Sequence, residues 1–260
     1  MVITTDNTVI DGWRISGGIQ VHANNVVIRN SWITNSAGGQ NGSGVVNINP
    51  GYSATIQRST LDGLNATHAC IWDEGRTMTA VANNCSRVND GIFLWTTAVG
   101  VDGTGDNATI EGNWLHSFTT LAANGHIDGI QTEGAKHVLI RHNSIDVEQD
   151  QTEAISLWNG RKSTDDVRVE DNLLAGGGFT AYAEDYSPSE ADPVGGYSLT
   201  NVYFVDNTFS SVHYGCVGYW GVWFTRGAPT DGWRRTGNRV LESGQLIDAG
   251  NPTYQGRPCT

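Results

Sequence analysis

Three short phrases of this chain open on an acid: Asp90–Trp95 (DGIFLW), Asp128–Glu133 (DGIQTE) and Glu153–Trp158 (EAISLW). If they stack as neighbouring strands, Asp90, Asp128 and Glu153 fall in one column at a spacing of about 4.8 Å. Carboxylates that close repel, so one holds its proton to higher pH than usual. A protonated acid beside an ionised one is what glycosidic bond cleavage needs. One protonates the leaving oxygen, and the other activates water or attacks the sugar. Asp128 with Glu153 is the leading pair, and Glu133 is a further candidate acid. Asp-Gly is also ordinary turn chemistry, above all at Asp90. Calcium held by the three acids is another option, because hard oxygen clusters suit it. No HExxH, Cys-x-x-Cys, Gly-x-Ser-x-Gly or P-loop pattern points to zinc, a serine nucleophile or nucleotide.

With Ile92, Ile130 and Ile155 turned inward, the intervening residues are expected to face solvent: Phe93, Trp95, Gln131, Glu133, Ser156 and Trp158. Trp72 and Glu74 would flank this strip on one side, and Thr180 and Tyr182 on the other. Aromatic planes take the C–H faces of sugars, while carboxylates and amides take the hydroxyls. The strip therefore reads as a sugar groove. His126, in the phrase HIDGIQ, is placed to meet a substrate hydroxyl or to orient Asp128. Glu184 lies in the segment Ala183–Tyr197, one of four longer insertions expected to build the groove walls. One difficulty attaches to Asp128: strict alternation with Ile130 would turn it inward. The preceding turn is expected to break the pattern.

The elements that must position these residues are visible as a repeat. Asn25–Ile33 (NVVIRNSWI), Asn107–Leu115 (NATIEGNWL), His137–Ile145 (HVLIRHNSI), Asp166–Leu174 (DVRVEDNLL) and Asn201–Phe209 (NVYFVDNTF) share one pattern. Register marks fall at Ile10, Ile28, Ile56, Ala80, Ile110, Ile140, Val169, Phe204 and, degenerately, Arg235. Three residues later stand Ser31, Ser59, Asn83, Asn113, Asn143, Asn172, Asn207 and Asn238. A unit of about 30 residues cannot bury its own apolar face, so it must stack on its copies. With 33 Gly, two-residue alternation and β-branched marks, strands and turns are expected rather than helices. The reading is an all-β parallel β-helix of about nine coils, a single domain over residues 1–260, with long loops on one side.

A net charge of −12, with Lys136 and Lys162 the two lysines, argues against a nucleic-acid partner. No run of 18 apolar residues exists to span a membrane. The chain opens almost directly on a repeat, and a secreted, extracellular or virion-associated protein that has lost its leader or cap is expected. Cys70 can pair with Cys85 and Cys216 with Cys259; buried free thiols are the alternative.

The stretch Ile127–Leu157 (IDGIQTEGAKHVLIRHNSIDVEQDQTEAISL) resembles the pectin-lyase-like right-handed β-helix superfamily, nearest in pattern to its polygalacturonase branch. Asp128 matches the acid of that branch's Asn-Thr-Asp-Gly-Ile segment, and Glu153 the second acid of its Asp-Asp-Cys-Ile-Ala segment; Thr152 replaces the first. The following Gly-His-Gly and Arg-Ile-Lys motifs are missing, Gly176–Tyr182 reading GGGFTAY instead. The resemblance implies a right-handed solenoid and inverting hydrolysis, but not galacturonan specificity. A neutral or weakly charged glycan is expected, because the groove as read holds no Lys or Arg. A polysaccharide lyase and a non-catalytic glycan-binding or structural β-helix, such as a phage tail or adhesin module, are the competing classes.

Overall fold

The computed structural model describes residues 1–37, 39–96, 100, 102–122, 125–183, 197–224 and 233–259. Among them every regular element is a strand, as the two-residue alternation and frequent Gly and Asn turns require. Two large sheets, of 16 and 9 strands, are built from parallel pairings. A two-stranded antiparallel pair, Thr253–Tyr254 with Arg257–Pro258, lies near the C-terminus. Successive repeats feed both large sheets in turn, an arrangement consistent with a parallel β-helix.

The register marks are direct neighbours in the smaller sheet. Ile10 pairs with Ile28, Ile28 with Ile56, Ile56 with Ala80 and Ala80 with Ile110. The series continues through Ile140, Val169 and Phe204 to Arg235. A second column, from Ile15 through Ile33, Leu61, Cys85, Leu115, Ile145, Leu174 and Phe209 to Val240, is likewise in register in the larger sheet. The inward side chains of both sheets merge into one apolar cluster running from Ile3 to Ile247. That continuity is why no single repeat needs a core of its own.

Between the two columns runs a ladder of buried asparagines. Nδ2 of Asn83, Asn113, Asn143, Asn172 and Asn207 each donates to Oδ1 of the next asparagine at 2.9–3.0 Å. The same oxygens accept the preceding asparagine's backbone N–H, at 3.0 Å for Asn83 on Asn113 and 2.9 Å for Asn113 on Asn143. Each Nδ2 spends its second proton on a backbone carbonyl of the coil before, as Asn143 does on Ile110 at 2.9 Å. Ser31 and Ser59 start the ladder with their hydroxyls, and Asp248 ends it by accepting both N–H groups of Asn238. The residue before each rung is left-handed: Asn30, Arg58, Ala82, Gly112, His142, Asp171, Asp206 and Gly237 have φ between 48° and 74°. That bend turns the chain from one sheet toward the other, and Asn, Asp and Gly tolerate it best.

Of the two alternatives for the cysteines, the structure has the disulfides, Cys70–Cys85 with Cα atoms 5.9 Å apart and Cys216–Cys259 at 5.7 Å. The first links neighbouring coils beside the acid column.

Replacing Asn143 with Ala removes the partner of the Asn113 side-chain and backbone N–H groups and of the Ile110 carbonyl. Buried groups left unpaired cost about 1–3 kcal/mol each, so the variant is expected to lose about 3–5 kcal/mol in urea denaturation. A loss under about 1 kcal/mol would show the ladder to be dispensable.

Candidate functional site

The three acids do converge. Asp90 lies opposite Ala69 in the preceding coil. Gly91 N–H donates to the Asp128 carbonyl at 2.8 Å, and Gly129 N–H to the Glu153 carbonyl at 2.9 Å. These bonds stack Asp90, Asp128 and Glu153 on successive coils.

The backbone also answers the alternation problem. Ile92 N–H bonds the Gly129 carbonyl at 3.0 Å, immediately after Gly91 bonds Asp128 in the same neighbouring coil. Gly129 and Ile130 repeat this toward Glu153 and Ala154. Consecutive N–H groups facing one neighbour mark a bulge-like irregularity, since a regular strand offers alternate ones. Two adjacent residues therefore turn inward in each coil: Gly91 with Ile92, Gly129 with Ile130, Ala154 with Ile155. The acid before each pair is turned outward. A Cβ on Gly91 would lie 2.2 Å from the Gly129 oxygen, and one on Gly129 would lie 2.4 Å from the Ala154 oxygen and 2.3 Å from Ile145 Cγ2. Glycine is required at both positions by this close approach.

A groove of about 610 Å³ opens over the column. Asp90, Asp128, Glu153, Glu133, Gln131, His126, Trp72, Phe93, Trp95 and Trp158 line it, together with His68, Glu74, Asn89 and Ser156. Tyr182 is one coil further on, opposite Ser156 and 5.9 Å from the Trp158 ring. Glu184 lies outside the described residues.

The aromatics differ from the expected open strip. Trp72 is 8% exposed and Phe93 4%, and with Ala69 and Trp95 they form a small cluster of their own. Their rings pack at an angle to one another, Trp72 on Phe93 at 4.7 Å and Phe93 on Trp95 at 5.3 Å. Three large rings on two adjacent coils are too close to stand apart, so they cover each other. A second correction concerns charge. Arg161 lies 4.5 Å over the Trp95 ring, donates from Nε to the Thr96 carbonyl at 2.6 Å and acts electrostatically on Glu133. The groove margin is therefore not free of cations.

Both oxygens of Asp90 have partners. Its Oδ1 takes Asn89 Nδ2 at 2.9 Å and the Asp128 N–H at 3.0 Å, and His68 Nε2 lies 2.7 Å from Oδ2. Asn89 Nδ2 also reaches the His126 carbonyl. Asp128 Oδ1 in turn accepts the Glu153 N–H at 3.2 Å. Burial, then the charges of Glu153 and Asp90, push Asp128 well above the usual carboxylate range, and its side chain is hydrogen-bonded to that of Glu153. Burial also raises Glu153 to about 7, opposed by the bond from Asp128. Glu133, on the other side of Gln131, is raised by burial to about 7, with Arg161 opposing.

His68, Asn89 and Arg161 were not singled out from the sequence. His68 could have been found by aligning HACIWDEG with NDGIFLW, which sets it beside Asn89 one coil away. Arg161 enters from a turn after Trp158, and no repeat position marks it. Among the described residues no group of three or more His, Cys, Asp or Glu is arranged to hold a metal ion. Compared with known protein families, curated proteins and solved structures, the chain matches none.

These raised acids have a consequence for stability. Folded Glu133 and Glu153 hold protons up to about 7 that the unfolded chain releases near 4.5. Their contribution is full below the lower value and is lost as pH rises through the upper one. Asp73, buried beneath the groove and raised to about 7, acts in the same direction. The urea midpoint is expected to fall across this window, and Glu133→Gln to flatten the slope. A midpoint that rises with pH would contradict the assignment.

Proposed function

We propose that this chain is a glycoside hydrolase built on a single right-handed parallel β-helix of about nine coils. One observation carries the reading: five carboxyl groups line a groove with aromatic walls, and burial pushes three of them, Asp128, Glu133 and Glu153, above the usual carboxylate range. Right-handed crossovers are the rule between parallel strands, and the uninterrupted apolar cluster supports one domain.

The close contact of Asp128 with Glu153 shapes the roles. Two carboxyls on opposite faces of a scissile bond stand at about 5 Å or more. These two touch, so no sugar fits between them, and they act as one unit. In the proposed reaction Glu133 gives its proton to the leaving glycosidic oxygen. The Asp128–Glu153 pair, one proton short of full protonation, takes a proton from the attacking water as its oxygen bonds to the anomeric carbon. Asp90, whose Oδ1 accepts from Asn89 Nδ2 and the Asp128 N–H and whose Oδ2 lies against His68 Nε2, holds Asp128 in place instead of transferring a proton. Gln131 and Trp158 orient the sugar, and His126 lies beside Trp158, with ring centroids 6.4 Å apart. A sugar chain is the proposed partner, and two disulfides fit an oxidising setting outside the cytoplasm, as in a secreted or virion-borne enzyme.

Arg161 beside Glu133 gives the lyase reading a cation that could neutralise a uronate. Products separate the two classes: a lyase leaves unsaturated ends that absorb in the ultraviolet, and a hydrolase does not.

On a panel of neutral and uronate polysaccharides, reducing-end release is expected to fall about 10²–10⁴-fold in Glu133→Gln and in Glu153→Gln. Because the proposed acid must be protonated while the Asp128–Glu153 pair lacks one proton, the rate should fall on both sides of about 7. Full turnover in both variants would end the hydrolase reading.

A further inference from the structure

The position held by the acids continues past Glu153. The next coil places Phe179 beneath it, since Ile155 pairs with Ala181 two residues further along each strand. From Phe179 an aromatic path leads away from the groove. Its ring lies 5.7 Å from Trp220 and 5.1 Å from Phe224, and Phe224 stacks on Tyr182 at 4.6 Å and 12°. Trp220 and Tyr219 end the path and are 47% and 53% exposed.

Exposed rings alone would carry little, but the segment that holds these two is unusually constrained. Tyr219 and Trp220 donate their backbone N–H groups to the carbonyls of Gly177 and Gly178, both at 2.8 Å. Gly178 lets the indole lie flat on the coil: a Cβ there would sit 2.6 Å from Trp220 Cζ3. Tyr214, at the other end, donates its hydroxyl to the Glu148 carbonyl at 2.6 Å. Cys216 is tied to Cys259. Val217 holds φ at 74°, a conformation that a β-branched residue adopts only when its surroundings impose it. A chain segment pinned at both ends and strained in the middle presents its aromatic side chains with little ordering left to do on binding.

We propose that Trp220 and Tyr219 form an outlying sugar platform, distinct from the groove, that receives a polysaccharide as it leaves the groove past Glu153. The inference rests on the hydrolase reading for its ligand class. It makes the substrate an extended, weakly charged chain bound along the stacking direction. Coils repeat at about 4.8 Å, so the route from Phe93 to Phe224 spans four coil steps, roughly 19 Å. That is room for several sugar units.

The test uses the whole chain as Glu133→Gln, so that turnover does not consume the ligand. Affinities for cello-, xylo- and galacto-oligosaccharides from disaccharide to octasaccharide are measured by calorimetry, with Trp220→Ala, Tyr219→Ala and Trp220→Phe added in turn. The octasaccharide of the preferred series is expected to weaken roughly tenfold in Trp220→Ala and to recover largely in Trp220→Phe. The affinity gained between disaccharide and octasaccharide should shrink accordingly. If Trp220→Ala binds the octasaccharide as the parent does, or if no series binds the parent, the platform is overturned. If the platform effect appears while the unmodified chain releases no reducing ends, the catalytic reading fails and the platform stands.

Discussion

The architecture depends on vertical register, and the asparagine ladder is what enforces it. Each rung satisfies a backbone N–H of one coil and a carbonyl of another while bonding the rung beside it. A slip by one residue would put a left-handed turn residue into the asparagine column and leave several buried polar groups unpaired at once. Because every coil is held this way, residues far apart in sequence become neighbours to within a side chain's reach. Asp128 and Glu153 are 25 residues apart along the chain, yet a backbone N–H of one meets a carboxylate oxygen of the other.

Much of this was legible in the residues. The ladder appeared as a column of Asn three positions after each mark, and the marks themselves pair through to Arg235, where the apolar pattern has failed. The convergence of Asp90, Asp128 and Glu153 followed from the same stacking. What the letters did not carry was the backbone irregularity that turns two adjacent residues inward. A two-residue period has no symbol for a bulge, although the glycines at 91 and 129 are its trace. Ring orientation was hidden for a related reason. Alternation puts Trp72 and Phe93 on the outer face, but only their three-dimensional crowding shows that they cover one another. Arg161 belongs to a turn, where no periodicity applies.

The groove is assembled at a cost. Burying Asp128, Glu153 and Glu133 penalises their charged forms, and the donors the fold supplies nearby are the Glu153 N–H to Asp128 and the Asn89 amide and Asp128 N–H to Asp90. Below the Trp95 end, Lys162 is itself buried and paired with Asp106 at 2.6 Å, with Thr104 accepting a second bond from its Nζ at 2.7 Å. Asp73 lies in the same region with Oδ2 unpartnered. Buried ionisable groups of this kind add little net stability, and they are tolerated where a site needs them. The stiff ladder supplies the stability that the acid column does not.

The central claim is that coil stacking forces Asp128 and Glu153 to hold one proton between them. Carboxyl-carbon NMR titration of labelled protein, assigned with Asp128→Asn and Glu153→Gln, tests it directly. The account predicts two coupled signals, each responding when the other residue is replaced, with the shared proton retained to about 7 or above. Two independent transitions near the ordinary carboxylate values, indifferent to each other's replacement, would contradict it.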